Sequence, residues 1–306
     1  MSDITINQLV QEIKSKRNDL EATRNIFNAQ SSTIEFEIFD RDHWSHFAFN
    51  DSISKLILLT ENNFNAIETF SLVSTSRYIL ELSIRLTLIA QDSVYGLEYY
   101  GRLLRDQLQY WTGLKEQLNR EIVFLHEMEE KERKLHHDKL LEYSKIEDPE
   151  LKEKFGVALT PDVFNTIDNM ASRKFSIHAA QARTNGYGFQ AHLIQKNQLP
   201  EVESSLETVK KDIEKFNCSV SSDVKQLLRY WNWKDYATET NHAEDYDYIY
   251  TFTSRMLHAV PVNITTNHPF LSNDEIIIFL KYINVKIADI NELANTFISN
   301  SKIGKI

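Results

Sequence analysis

Leu72-Val-Ser-Thr-Ser-Arg-Tyr-Ile-Leu-Glu-Leu-Ser-Ile-Arg-Leu-Thr-Leu-Ile-Ala90 is the stretch on which the fold turns. It holds no glycine or proline, and its apolar side chains cover nearly the whole circumference of a 3.6-residue helix. A helix that is apolar almost all round belongs at the centre of a bundle. The pattern extends toward the N-terminus without a breaker: Ser52 to Gln91 carries Ile53, Leu56, Ile57, Phe64, Ile67 and Phe70. This region predicts one long helix or two in tandem, with a joint near Glu61-Asn-Asn-Phe64.

The rest of the chain agrees with this centre. Seven glycines and five prolines in 306 residues are too few for a many-stranded β fold, which needs a turn every ~8–12 residues. The expected class is all-α. With 42% hydrophobic and 25% charged residues the composition is globular, which excludes wholesale disorder. The formal charge of −10, from 34 basic and 44 acidic residues, lacks the global footprint of a nucleic-acid binder, although it leaves room for a local basic stripe. Cys218 stands alone, which excludes an intramolecular disulfide and a thiolate metal cluster and fits a reducing compartment. The first residues hold no signal-peptide-like apolar region, and no long uncharged apolar run follows. These features predict a cytoplasmic protein with no membrane partner.

Working outward, residues 4–29 read as an amphipathic helix through Ile6, Leu9, Val10, Ile13, Leu20 and Ile26. Ser31–Phe39 alternates Ile34, Phe36 and Ile38 with Glu35 and Glu37, which suits a strand or an extended loop. Residues 93–147 form a second long helical region whose last third is strongly charged, with Glu127–Lys131 and Glu130–Lys134 as supporting i,i+4 pairs. Its apolar positions Leu114, Leu118, Ile122, Leu125 and Met128 match a seam for one partner helix. Pro149 and Pro161 bracket a short connector, with Thr160-Pro161 opening a helix that runs to about 183. Further helices follow from Pro200 to Phe216, from Ser221 to near Trp231, and from 242 to Val260 before Pro261. Ser272-Asn-Asp-Glu275 is a capping box for a last helix reaching about Ser299. The expected architecture is a single elongated helical domain over 1–306. Residues 93–147 form a long charged arm that projects or pairs as a coiled coil, and a subdivision is allowed near 149–161.

Three constellations carry candidate chemistry. Arg77, Glu81 and Arg85 form an i,i+4,i+8 stripe on the apolar helix, where unpaired charges would be very costly. Such a stripe serves either as a buried register device or as a polar pocket within the bundle. Tyr246, Tyr250, Ser254 and His258 share one face at the same spacing, with Arg255 beside them. Core tyrosines with wet tips and a helix-end cap explain them structurally, and a general acid/base role for His258 explains them chemically. Arg173 and His178 form an Arg-x4-His motif of the kind that HEPN-class RNases carry on a helix to bind phosphate and move a proton, but the Lys174 that follows Arg173 departs from the usual polar residue there.

Arg77-x3-Glu81 in an apolar helix, followed much later by a Trp/Tyr-rich stretch and Ser254-x3-His258 before a proline, resembles a group of uncharacterised bacterial helical proteins. That group has a distant HEPN-like character and often turns up with mobile elements or anti-phage defence genes. The likeness spans residues 50–90 and 220–262, and the long charged insertion between them has no counterpart there. It implies a helical bundle in which Arg77, Glu81, Ser254 and His258 converge.

Other chemistries find no support. Gly186-Tyr-Gly188-Phe-Gln-Ala191 matches a dinucleotide string but no strand precedes it. His126-Glu127 lacks the second histidine of a zincin, and the repeated Glu-x-x-His pairs of a di-iron site do not occur. Glu132, His136 and His137 read as a solvated helix face rather than a metal site. No cofactor or metal is called for. Two functions stay open. One is a defence- or toxin-type effector acting on RNA as a metal-independent endoribonuclease, with catalytic candidates His258, Ser254, Arg77 and Glu81, and Arg173 with His178 as second choice. The other is a non-catalytic interaction or scaffold protein that forms a homo-oligomer, or docks a protein partner, through the long helix.

Overall fold

The computed structural model describes residues 2–33, 35–257 and 270–301. Among these residues there are helices and turns and no strand. The all-α expectation holds, and the segment 35–39 takes the looped alternative. Trp44 Nε1 donates to the carbonyl of Ile38 (2.7 Å), so this loop is tied to a helix rather than to a second strand.

The chain divides into two compact units, Met1–Arg102 with Phe216–Ile306, and Leu103–Lys215. The boundaries therefore lie at 102/103 and 215/216, and the expected division near 149–161 falls inside the second unit.

In the first unit the helices α1 (Ser2–Ser15), α2 (Arg17–Ser31), α3 (Arg41–Asn62) and α4 (Thr69–Gln91) are followed by the start of α5 (Val94–Ser144). The joint foreseen near residues 61–64 is real and separates α3 from α4. α4 is the central helix. Leu72, Val73, Ile79, Leu80, Ile84, Leu86, Leu88 and Ile89 are all buried, each worth about 1.5–3 kcal/mol of transfer free energy before entropy is charged. The C-terminal helix, Asn273–Asn300, lies along α4 and α1 and contributes Phe279, Leu280, Ile283, Ile287 and Ile290 to the same core. Its start is set by the foreseen capping box: Ser272 accepts from the backbone N–H of Glu275, whose carboxylate accepts from that of Ser272. Gly96 permits close packing at the start of α5, because a Cβ there would collide with the Arg41 carbonyl and the Ser45 side chain.

In the second unit α5 continues from Leu103 and is joined by α6 (Pro149–Ala171), α7 (Ala179–Asn185), α8 (Tyr187–Leu193), a π-helical turn (Ile194–Gln198) and most of α9 (Leu199–Ser219). The helix start assigned to Thr160-Pro161 is corrected to Pro149. Asp148 accepts hydrogen bonds from the N–H groups of Glu150 and Leu151, and Pro149 has no N–H to leave unsatisfied. Pro161 sits inside α6 and removes one helical hydrogen bond, yet Leu159, Val163, Ile167 and Ala171 bury one face and hold the helix through it. The helix also stops at Ala171 instead of continuing to 183. The seam read on α5 is filled from within this unit. Leu118, Leu125 and Met128 are buried in one cluster with α6 residues, and Leu114 and Ile122 pack against it.

Candidate functional site

The first unit continues after α9 with α10 (Ser222–Arg229), α11 (Trp233–Glu239), α12 (Ala243–Asp245), a π-helical turn (Tyr246–Tyr250) and α13 (Thr251–Leu257). α13 and the π turn pack on α4, which brings the two predicted motifs together although 177 residues separate them in the chain. Arg77 Nε donates to Glu81 Oε1 (2.9 Å), and its Nη1 donates to Ser254 Oγ (3.2 Å). The guanidinium lies over the ring of Tyr250, 4.4 Å from its centroid, and Tyr246 stacks on Tyr250 at 4.5 Å and 15°. Single π turns inside helices often mark functional positions because they shift the register of the side chains that follow. Here the turn supplies both stacked rings. Burial, and then the neighbouring Tyr250, raise the pKa of the Tyr246 hydroxyl, which keeps it a neutral hydrogen-bonding group.

The result is an arginine fixed from three directions. Glu81 neutralises and orients it, Ser254 holds one Nη, and Tyr250 supports its flat face. Its Nη2 donors point to no partner among the described residues, so the fork can still take an anionic oxygen. Arg77 and Glu81 are each about one quarter exposed on their side chains, which leaves the group reachable from solvent. His258 follows four residues after Ser254 and lies outside the described residues.

Arg85, the third member of the stripe, belongs to a different cluster. Glu98 of α5 is 1% exposed and is bonded by both Arg85 (3.3 Å) and Arg102. Both guanidiniums lie over the ring of Trp231, at 4.6 and 4.4 Å from its centroid. Sequence spacing therefore located the charged stripe but not its division into two groups. Glu98 gives no sign of its burial between Leu97 and Tyr99. The Trp/Tyr-rich segment was the available pointer to Trp231.

A cleft of about 510 Å³ opens next to Glu81. Asp51 and Lys55 of α3 and Tyr78, Glu81 and Arg85 of α4 line it, together with Tyr99 and Trp233. Its two cations and two carboxylates cancel in formal charge. Although Asp51 keeps a solvent-facing side, crowding in the cleft disfavours its ionised form and raises its pKa. The hydroxyls of Tyr78 and Tyr99 are raised by burial in the same way. The sequence signal that would have found Asp51 and Lys55 is a second i,i+4 charge pair facing Glu81 and Arg85 across α3 and α4.

Arg173 and His178 are not on a helix. They lie in the segment between α6 and α7, Arg173 exposed and His178 half-buried with an unpartnered Nε2. Among the described residues no three His, Cys, Asp or Glu side chains are grouped to hold a metal, and no helix is long and apolar enough to cross a membrane. Glu132, His136 and His137 line a groove of the second unit with Leu140 and Phe164. No family model, curated protein or solved structure matches the chain.

Proposed function

We propose that this chain is an RNA-directed effector of the bacterial defence or toxin type, which cleaves phosphodiester bonds without a metal ion at the Arg77–Glu81–Ser254 group. The observation that supports it most is the meeting of Arg77, Glu81 and Ser254 over Tyr250 from two distant segments, with guanidinium donors left over. In this reading Arg77 binds a non-bridging phosphate oxygen and stabilises the charge that grows on it in the transition state. Glu81 and Ser254 are positioning residues that fix the guanidinium. His258, four residues beyond Ser254 in the sequence, is the general acid/base. The ribose 2′-oxygen attacks phosphorus while the base takes its proton. The bond to the 5′-oxygen breaks as that oxygen is protonated, leaving a 2′,3′-cyclic phosphate and a 5′-hydroxyl.

The test is incubation of the purified chain with total RNA in the presence of a chelator. The wild type is expected to produce cyclic-phosphate ends, and Arg77→Ala and His258→Ala to lose at least about a hundredfold in rate, the usual worth of such groups. Wild-type protein that leaves RNA intact sinks the nuclease reading. Equal cleavage by all three proteins sinks the residue assignment.

A second reading, the non-catalytic interaction protein, is favoured by one observation. Val123 (61% exposed), Leu140 and Leu141 leave apolar surface on α5 outside the seam that its own unit covers.

A further inference from the structure

Glu121 is the second buried carboxylate of α5, 1% exposed. It accepts from the Ser176 hydroxyl (2.5 Å), the Ile177 N–H (3.0 Å) and the Gln117 side-chain amide (2.8 Å). Desolvating a carboxylate is costly, and here the compensating bonds fix an irregular segment, residues 172–178, rather than a helix or another core group. The Ser176 oxygen also accepts the N–H of His178 (3.2 Å), which closes the loop on itself.

What this anchored loop displays is Phe175, 84% exposed. Buried polar anchoring beneath an exposed aromatic ring is the arrangement of a contact residue, because holding the loop still lowers the entropy lost on binding. The surroundings identify the chemistry. Arg173 and Lys174 precede Phe175. Arg120 lines the adjoining cleft of about 480 Å³, whose floor includes Val123 and Phe124. Among the described residues Arg120 is bonded only to the neutral Gln117, and Arg173 has no partner. Lys174 shares Glu127 at 3.5 Å and lies over Phe124 at 5.5 Å. Arg120 and Lys174 line the cleft together with Glu121 and Glu127, and Arg173 precedes Lys174 in the loop, so three cations stand against two carboxylates, one of them buried and committed to the loop.

We propose that this loop is a contact site for single-stranded RNA. One base stacks on Phe175 above the Val123–Phe124 floor, and Arg120, Arg173 and Lys174 face the flanking phosphates. Stacking on an exposed ring beside phosphate-binding cations is how proteins hold single strands without reading sequence. The identity of the polymer rests on the RNA-directed reading above, while the site shares no residue with the Arg77 group.

The experiment is fluorescence anisotropy with a labelled 2′-O-methyl RNA of about ten nucleotides, which lacks the attacking hydroxyl and so stays intact. Phe175→Ala is expected to weaken binding about tenfold and Phe175→Trp to preserve or tighten it. Arg173→Gln with Lys174→Gln is expected to lower the slope of log affinity against log salt by about 1.4, two single-strand phosphate contacts. Affinity of Phe175→Ala within twofold of wild type, an unchanged salt slope, or no binding by the wild type overturns the proposal. So does a drop in solution mass of Phe175→Ala by light scattering, which would make the loop a protein interface. Binding that depends on Phe175 without any RNA cleavage leaves this site standing and removes the nuclease reading. Cleavage that depends on Arg77 with binding indifferent to Phe175 does the reverse.

Discussion

Glu98 and Glu121 stand on the same helix, each 1% exposed, and the protein resolves the same problem for them in opposite ways. Glu98 is matched by charge: Arg85 and Arg102 bond its two oxygens, and both guanidiniums lie over the ring of Trp231. Glu121 is matched by neutral donors from a hydroxyl, a backbone N–H and an amide. The first solution ties α4, α5 and the segment after α10 into one register. The second ties down a loop that has no regular structure of its own. A buried carboxylate is therefore not one kind of feature, and its partners show whether it serves the core or a surface.

The comparison breaks most easily at Glu98. Glu98→Ala removes the anion shared by two partly buried guanidiniums and is expected to cost about 3 kcal/mol of unfolding free energy. Denaturant unfolding measures it, and a change under about 1 kcal/mol would mean that the arginines are hydrated well enough to need no partner.

His46 sharpens the comparison from another side, since it is buried as a neutral group. It is 2% exposed, its Nε2 lies 3.1 Å from the Phe27 carbonyl and 3.0 Å from Ser31 Oγ, and its Nδ1 has no partner among the described residues. Burial lowers its pKa below the ordinary histidine value, outweighing the upward pull of the Phe27 carbonyl. His242 is lowered likewise, by burial first and Lys286 second. A base whose folded pKa lies below its unfolded value is bound by fewer protons in the native state. Stability is then level above about pH 6.5 and falls as the pH drops through the window below it, by at most about 1.4 kcal/mol per pH unit for each group. Unfolding curves at stepped pH should show this decline, and His46→Asn should make it shallower. An identical pH profile in the variant would exclude His46 as a source.

Much of the frame was legible from local signals. The breaker-free run at 72–90 marked the central helix, and the Ser272–Glu275 box marked the last one. Fourfold spacing paired Arg77 with Glu81 and Tyr250 with Ser254 on their own helices, but nothing in the spacing said that the two pairs meet. Pro161 misled because the apolar face of α6 outweighs one lost hydrogen bond, a tertiary effect that propensity does not carry. The α5 seam misled for a related reason. A stripe shows that a helix needs a partner, and its spacing says nothing of whether that partner lies in the same chain. The Asp51–Lys55 side of the cleft was hidden because it depends on the register of α3 against α4. Glu98 and Glu121 were hidden because each looks, in sequence, like any other acid on a charged helix.

The smallest effect on global stability is expected at Glu121, and it is the one that separates the two carboxylates. Glu121→Gln keeps an acceptor for one donor and loses the charge-assisted strength of the others, a cost of about 1 kcal/mol. If the carboxylate serves the loop alone, the denaturation midpoint should move little while the loop opens. Opening is readable by limited digestion, because Arg173 and Lys174 place two trypsin sites inside residues 172–178. Native-state proteolysis follows the free energy of local opening, so a loss of about 1 kcal/mol should speed cleavage there by roughly fivefold. Under the same conditions Glu98→Ala should leave cleavage at Arg173 and Lys174 no faster than its global unfolding allows. Equal acceleration in both variants would mean that Glu121 stabilises its unit as a whole, and that Phe175 is exposed on a surface that nothing holds in place.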